Sequence, residues 1–224
     1  MERAPALVLF QKLLRRLPCS AFDVNCLHCL EFEISGEQQP PIANSRLQIR
    51  EGTRLDLDRM ASCQNFPERL PERFEAHEHC VIATIGSKVI GYQWFCDKPT
   101  RIEERYSYPV QIPADALYGY DAFVLPEYRQ MKVWTAFHTT YLQTLLPRLR
   151  RRRIIAMVDQ TNAVSLRAHF RLGYRLFRKV YVLKLFGKSF WVARQSPRFA
   201  TEPRPLFSSD PGGQHVRRAN GLFS

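Results

Sequence analysis

The sequence predicts an α/β domain, and three observations carry the prediction. Strand-like and helix-like segments alternate between residues 116 and 193. Two apolar strands flank a hairpin signal at Gly86-Ser87. A hydrophobic content of 45%, with 15 Phe, 9 Tyr and 3 Trp, is ample for a packed core. At 224 residues the chain suits one such domain with extensions and is short for two.

Residues 4–17 place apolar side chains at helical spacing and stop before Pro18, which predicts a short amphipathic helix. FDVNCLHCLEFEIS then alternates as a strand over 22–34, and the composition of 35–41 (SGEQQPP) marks a linker. The compact unit is expected to begin with a brief strand at 47–50, followed by two short helices within 54–76, interrupted by Pro67 and Pro71. Strands at 79–85 and 88–95 form the hairpin, and a polar connection leads to a strand at 116–125. A helix over 132–146, a strand over 153–159, a helix over 162–172 and strands at 174–186 and 189–193 complete the order. These segments divide the chain into an N-terminal extension (1–45), one domain (46–194) and a Pro-, Ser- and Gly-rich tail from 195 that is expected to be mobile.

Charge is unevenly placed. Residues 148–198 hold 14 Lys and Arg against a single Asp, whereas residues 1–147 are close to neutral, within a total of +12. Such a field favours a polyanion or an acidic surface. The run RLRRRR at 148–153 also suits the negative end of a helix. No nucleic-acid motif or aromatic interleaving accompanies it, so nucleic acid is not the expected partner. No apolar run reaches the ~20 residues that span a bilayer, and Ala6-Leu7-Val8-Leu9-Phe10 lacks the flanks of a secretory signal. Of six cysteines, only Cys26 and Cys29 have metal-like spacing, and strand alternation puts Cys26 with His28 on one face and Cys29 on the other. The expectation is reduced thiols, no metal and a cytoplasmic setting.

Three further pieces occur in order on these elements: Val124-Leu125-Pro126-Glu127-Tyr128-Arg129 between strand and helix, Asn162-Ala163-Val164-Ser165 at the next helix start, and Leu172-Gly173-Tyr174 at its close. Together they resemble the GNAT superfamily of N-acetyltransferases, over roughly residues 46–194. The resemblance implies a mixed, mostly antiparallel central sheet flanked by helices. It also implies an acetyl-CoA-dependent N-acyltransferase that moves an acetyl or other acyl group directly to an amine in a ternary complex. The acceptor would be a small-molecule or peptide amine.

In that family the loop after the strand reads R-x-x-G-x-[GA], and its backbone cradles the diphosphate of coenzyme A. By resemblance the cradle here is Arg129, Gln130, Met131, Lys132, Val133 and Trp134, with Phe123 and Val124 offering backbone groups to the pantetheine arm. Asn162 and Ser165 would open the neighbouring helix. Unpaired amides and the helix dipole make such a start a natural anion site. Lys132 replaces the glycine and Trp134 the second small residue. Either Lys132 meets the phosphates with its ammonium, or the bulk of Lys132 and Trp134 narrows the cradle and abolishes binding; a left-handed lysine would cost roughly 1 kcal/mol.

The family often places a tyrosine acid seven residues after the leading asparagine; counting from Asn162 reaches His169, which is either a proton donor near neutral pH or a packing or surface histidine. Asp121, a carboxylate in an apolar strand, is the best candidate base, or else the partner of a structural arginine. Plain alternation puts Asp121 and Phe123 on one face and Tyr118, Tyr120, Ala122 and Val124 on the other. Glu103, Glu104 and His138 are weaker candidates. A second reading stands beside the enzyme: a GNAT-like scaffold that has lost coenzyme A and binds a partner through its basic face. The first 45 residues have three roles open to them: covering an edge, shaping the acceptor pocket, or joining a homodimer.

Overall fold

A computed structural model describes residues 22–33, 46–63, 67–185 and 188–195. The helix expected at 4–17, the linker at 35–41 and the tail beyond 195 lie outside the described residues. Eight strands form one sheet in the order β10-β9-β1-β8-β7-β4-β3-β2. They are β1 (Phe22–Glu33), β2 (Gln48–Glu51), β3 (His79–Ile85), β4 (Lys88–Cys96), β7 (Ala116–Val124), β8 (Arg153–Asp159), β9 (Arg175–Leu185) and β10 (Lys188–Gln195). A separate hairpin of β5 (Thr100–Glu103) and β6 (Tyr108–Gln111) lies within the stretch read as a polar connection. Among the described strands, β7 and β8 are the parallel pair and the other pairings are antiparallel.

Two layers cover the sheet. On one face lie α1 (Leu57–Ala61), α2 (Leu70–Glu75) and the β5–β6 hairpin, packed on Tyr92, Trp94, Tyr118 and Ile155. On the other lie a long helix and α5 (Ala163–Arg171), packed on Ile90, Phe95, Leu117, Ile154 and Ala156. The long helix comprises α3 (Val133–Ala136), a π-helical stretch (Phe137–Leu142) and α4 (Gln143–Arg148). β4 is buried on both faces, which explains its almost unbroken apolar sequence.

β1 requires a correction. Sequence composition assigned it to an extension ahead of residue 46, yet it lies inside the sheet, antiparallel to both β8 and β9. The polar stretch after it looks like a domain boundary only in one dimension. Cys26, Leu27, Cys29 and Leu30 are buried on the two faces of β1, as a central strand demands. The five described cysteines are all buried thiols. Burial raises the Cys26 thiol to about 11 and Cys29 to about 12, so neither offers a thiolate.

Candidate active site

The site starts from a break in the sheet. The parallel ladder pairs Ala116 with Arg153, Leu117 with Ile154, Tyr118 with Ile155 and Gly119 with Ala156, and ends there. Beyond it β7 follows β4, pairing Phe123 with Tyr92 and Val124 with Gly91, while β8 follows β1. The two strands therefore part, leaving backbone groups that face a gap and not each other.

A β-bulge accompanies the parting. On β4 Tyr92 pairs with Phe123 and Trp94 with Tyr120, so Gln93 alone opposes Asp121 and Ala122. Asp121 takes φ 40°, a conformation that Asp tolerates better than most residues. The extra residue overturns the alternation read from sequence. Asp121 and Phe123 do share a face, but Tyr120 and Tyr118 join them on the α1–α2 side. Close packing also matters here: a Cβ on Gly91 would lie 2.9 Å from the Phe123 carbonyl oxygen.

On the α1–α2 side Asp121 is held by an ion pair with Arg73 and by the Tyr92 hydroxyl, which donates at 3.2 Å. The Arg73 guanidinium also lies 5.4 Å from the Trp94 ring and 5.2 Å from that of Tyr120. Arg73 borders a cleft of about 300 Å³ lined by Arg69, Glu72, Ala76, Glu78, Arg101 and Glu104. At the end of β8, Asp159 accepts hydrogen bonds from Asn25, Tyr106 and Thr161. Burial works to raise its pKa, but these donors outweigh it and hold the carboxyl below the ordinary range.

On the other side, Val124 leads through Leu125 into a 3-10 turn (Pro126–Met131), and Lys132 then takes φ 54°, ψ 28°. That is the left-handed conformation for which the family's loop supplies glycine. The helix starts at Val133, and its geometry leaves the amides of Val133, Trp134 and Thr135 without acceptors inside the helix. The cradle expected at 129–134 is thus a tight turn feeding a helix start. The Lys132 side chain is exposed, while the Arg129 side chain donates Nε–H to the Val124 carbonyl at 3.2 Å.

Trp134 turns inward. Its ring centre lies 4.4 Å from His169 on α5, 4.6 Å from His138 and 6.3 Å from Tyr174. The bulk that threatened the cradle is housed between the helices. Asn162 caps α5 by accepting the Ser165 amide at 3.1 Å, and Gly173 ends the helix with φ 93°.

His169 does not suit the acid role expected of it. Its Nδ1 lies 2.8 Å from the Ser165 carbonyl, which can only accept, so that nitrogen carries the proton and Nε2 is an acceptor. Burial lowers its pKa to about 4, so it is neutral near pH 7 with its one N–H engaged. His138 is held in the same way. Nδ1 donates to the Trp134 carbonyl, Nε2 accepts from the Tyr174 hydroxyl at 2.8 Å, and burial lowers its pKa to about 3. Of the weaker carboxylates, Glu103 accepts from the Tyr118 hydroxyl and is pushed up by burial, and Glu104 pairs with Arg69 on the surface.

The predicted residues therefore fall into two groups on opposite faces of the sheet. Asp121 and the Phe123 ring belong to the α1–α2 face. The turn at 129–132, Val133, Trp134, Asn162 and Ser165 lie at the two helix starts, whereas His169 is in the last turn of α5, against Trp134. Arg73, Tyr92 and Asp159 were not found from sequence, because nothing local marks a residue that matters through a distant neighbour. Gln93 did carry a signal: it is a lone amide in the apolar run Val89-Ile90-Gly91-Tyr92-Gln93-Trp94-Phe95. No group of three or more His, Cys, Asp or Glu able to hold a metal occurs among the described residues, and no described helix is long and apolar enough to cross a membrane.

This architecture is the fold of the GNAT acetyltransferases. No protein-family profile matches the chain, and no curated protein is similar enough to match. Solved structures do match. One is a GCN5-related N-acetyltransferase from Sphaerobacter thermophilus, with TM-score 0.53, 13% identity and 85% of this chain covered; the chain spans 56% of that protein's length. Another is a GNAT-family acetyltransferase from Novosphingobium aromaticivorans (TM-score 0.50, 15% identity, 76% of this chain and 69% of that one). A conserved protein of unknown function from Staphylococcus epidermidis has TM-score 0.54, 12% identity and coverage of 80% and 67%.

Proposed function

We propose that the chain is an N-acyltransferase that takes an acyl group, acetyl in the simplest case, from coenzyme A and passes it directly to an amine. One observation carries the reading: β7 and β8 part after four paired positions, beside a helix start introduced by a left-handed residue. Residues 129–134 would hold the diphosphate on the unpaired amides of that helix start, with the Lys132 ammonium adding charge. The residues present fit this role, since Lys132 adopts the backbone that the cradle needs and Trp134 is turned away between the helices. The gap between β7 and β8 would take the pantetheine arm beside Phe123 and Val124.

When bound, acyl-coenzyme A supplies the activated acyl group. The chain itself positions the amine on the α1–α2 face, where Asp121 is fixed by Arg73 and Tyr92. Asp121 would take the proton that the amine loses as the amide C–N bond forms and the thioester C–S bond breaks, and coenzyme A would leave as a thiolate that takes its proton from solvent. His169 is assigned a supporting part, holding Trp134 in place by a tilted ring contact.

Thermal unfolding of the full chain with coenzyme A tests the reading. At 100 times the dissociation constant a ligand stabilises the folded state by ~2.7 kcal/mol. A rise in Tm, followed by thiol release with a panel of amines, supports it. No shift at millimolar coenzyme A overturns it.

The second reading, a non-catalytic scaffold, draws on Arg129, whose side chain already fills the Val124 carbonyl that the resemblance gives to the arm. Its partner would be acidic and would meet the cations of β9 and β10. It predicts no coenzyme A response and a partner whose binding weakens with salt.

A further inference from the structure

We propose that Gln93 binds the pantetheine arm, its side-chain oxygen accepting an N–H from one of the arm's secondary amides. The inference rests on the coenzyme A reading and adds a residue and a contact to it.

Gln93 is 3% exposed, and its Oε1 is enclosed with no hydrogen-bond partner among the described residues. Leaving a buried polar group unsatisfied costs about 1–3 kcal/mol, and Leu or Met would avoid that cost in a strand otherwise filled by Ile90, Tyr92, Trp94 and Phe95. An amide kept in such a place calls for a partner, and no described residue supplies one to its oxygen.

Its position identifies the partner. Gln93 is the single β4 residue opposite the Asp121–Ala122 bulge. Its Nε2 lies 3.1 Å from where a Cβ on Gly119 would stand, beside Ile154 and Phe95 on the helix side of the sheet. Gly119 is the last β7 residue paired with β8. The amide therefore sits at the fork where the two strands separate, and the missing side chain of Gly119 leaves room for it. A ligand entering this fork runs between two strands with unpaired edges, as an extended peptide would. The pantetheine arm contains two secondary amides joined by short methylene links, so it can offer an N–H at that depth. Phosphates and the adenine ring lie at the other end of the same molecule, where Gln93 has no part.

Isothermal titration of the full chain compares two probes: coenzyme A, and its nucleotide end alone, phosphorylated ADP without the arm. For Gln93→Met the expected result is about tenfold weaker coenzyme A binding, unchanged binding of the nucleotide, and a melting temperature equal to or above the parent's. Gln93→Leu should behave the same way, and Gln93→Asn, with the amide drawn back by one methylene, should lose most of the contact while remaining polar. Unchanged coenzyme A affinity in both Met and Leu variants overturns the assignment. So does an equal loss for both probes, which marks a disturbance of the fold. If the parent binds neither probe, the cofactor reading falls and this assignment falls with it. A parent that binds coenzyme A no better than the nucleotide alone overturns the Gln93 contact and leaves the cradle standing.

Discussion

Trp134 packs against His169 with ring centres 4.4 Å apart and planes tilted by 54°, joining the first turn of the long helix to the last turn of α5. This contact turns a residue that conflicts with the loop pattern into a structural tie between the two helices beside the gap. Trp134→Ala should therefore destabilise the fold by about 3 kcal/mol, the usual cost of emptying a large aromatic site. Coenzyme A affinity should hold, because the indole is not in the cradle. Chemical denaturation and titration calorimetry check both halves. A stable variant with tighter binding would show that the ring blocks the cradle after all.

Lys132 holds a left-handed backbone without being glycine. Lys132→Gly relieves that strain, worth roughly 1 kcal/mol, although glycine also gains freedom in the unfolded chain, so the net rise in stability should be small. The charge is the more informative variable. Lys132→Glu should weaken coenzyme A binding by tenfold or more while Lys132→Gly changes it little, and the contrast should shrink at high salt. Equal affinities for Glu and Gly variants would remove the phosphates from this turn.

The strands of the large sheet, the hairpin at Gly86-Ser87 and the helix at 163–171 were legible because each rests on a local pattern, either a period or a turn residue, whereas the short β5–β6 hairpin was read as a polar connection. The left-handed strain at Lys132 was legible too, from the family's glycine at that position. The features that shape the site depend on register and packing. A bulge adds a single residue at Asp121–Ala122 and carries Tyr120 to the face of Phe123, which alternation cannot foresee. β1 alternated visibly, but its slot between β8 and β9 is a long-range pairing that no local signal specifies. His169 was located correctly on α5, yet its chemistry follows from burial and from the Ser165 carbonyl, which sequence spacing does not reveal.

Acid should destabilise this protein before its carboxylates respond. His138 and His169 stay neutral inside the fold, with pKa lowered by burial to about 3 and about 4. The unfolded chain takes up these protons near pH 6.5, so their contribution is complete above that pH and is lost as pH falls towards 4. Each adds a slope of about 1.4 kcal/mol per pH unit once the unfolded form is protonated. His169→Phe keeps an aromatic ring against Trp134 and removes one titration. Urea unfolding at pH 7, 6 and 5 should therefore show a shallower acid loss in that variant; an identical pH profile would mean that His169 is already solvated.

Asp121 and Arg73 allow a catalytic role to be separated from a structural one. The Arg73 side chain is 11% exposed, and the carboxylate of Asp121 is its ion-pair partner. Asp121→Asn leaves that guanidinium without its counter-charge, and breaking a buried pair at one end costs about 3–5 kcal/mol. Stacking of Arg73 on Trp94 and Tyr120 should hold the loss near the lower figure. Asparagine tolerates the φ of 40° at this position, so backbone strain does not confuse the result. Adding Arg73→Met removes the stranded charge and should restore most of the stability, as replacement of a whole buried ion pair often does. Turnover should not return with it, because the carboxylate that receives the amine proton is still missing. If the double variant recovers both stability and rate, Asp121 serves only to hold Arg73. If it recovers stability alone, with coenzyme A affinity unchanged and kcat still depressed, the proton acceptor is Asp121.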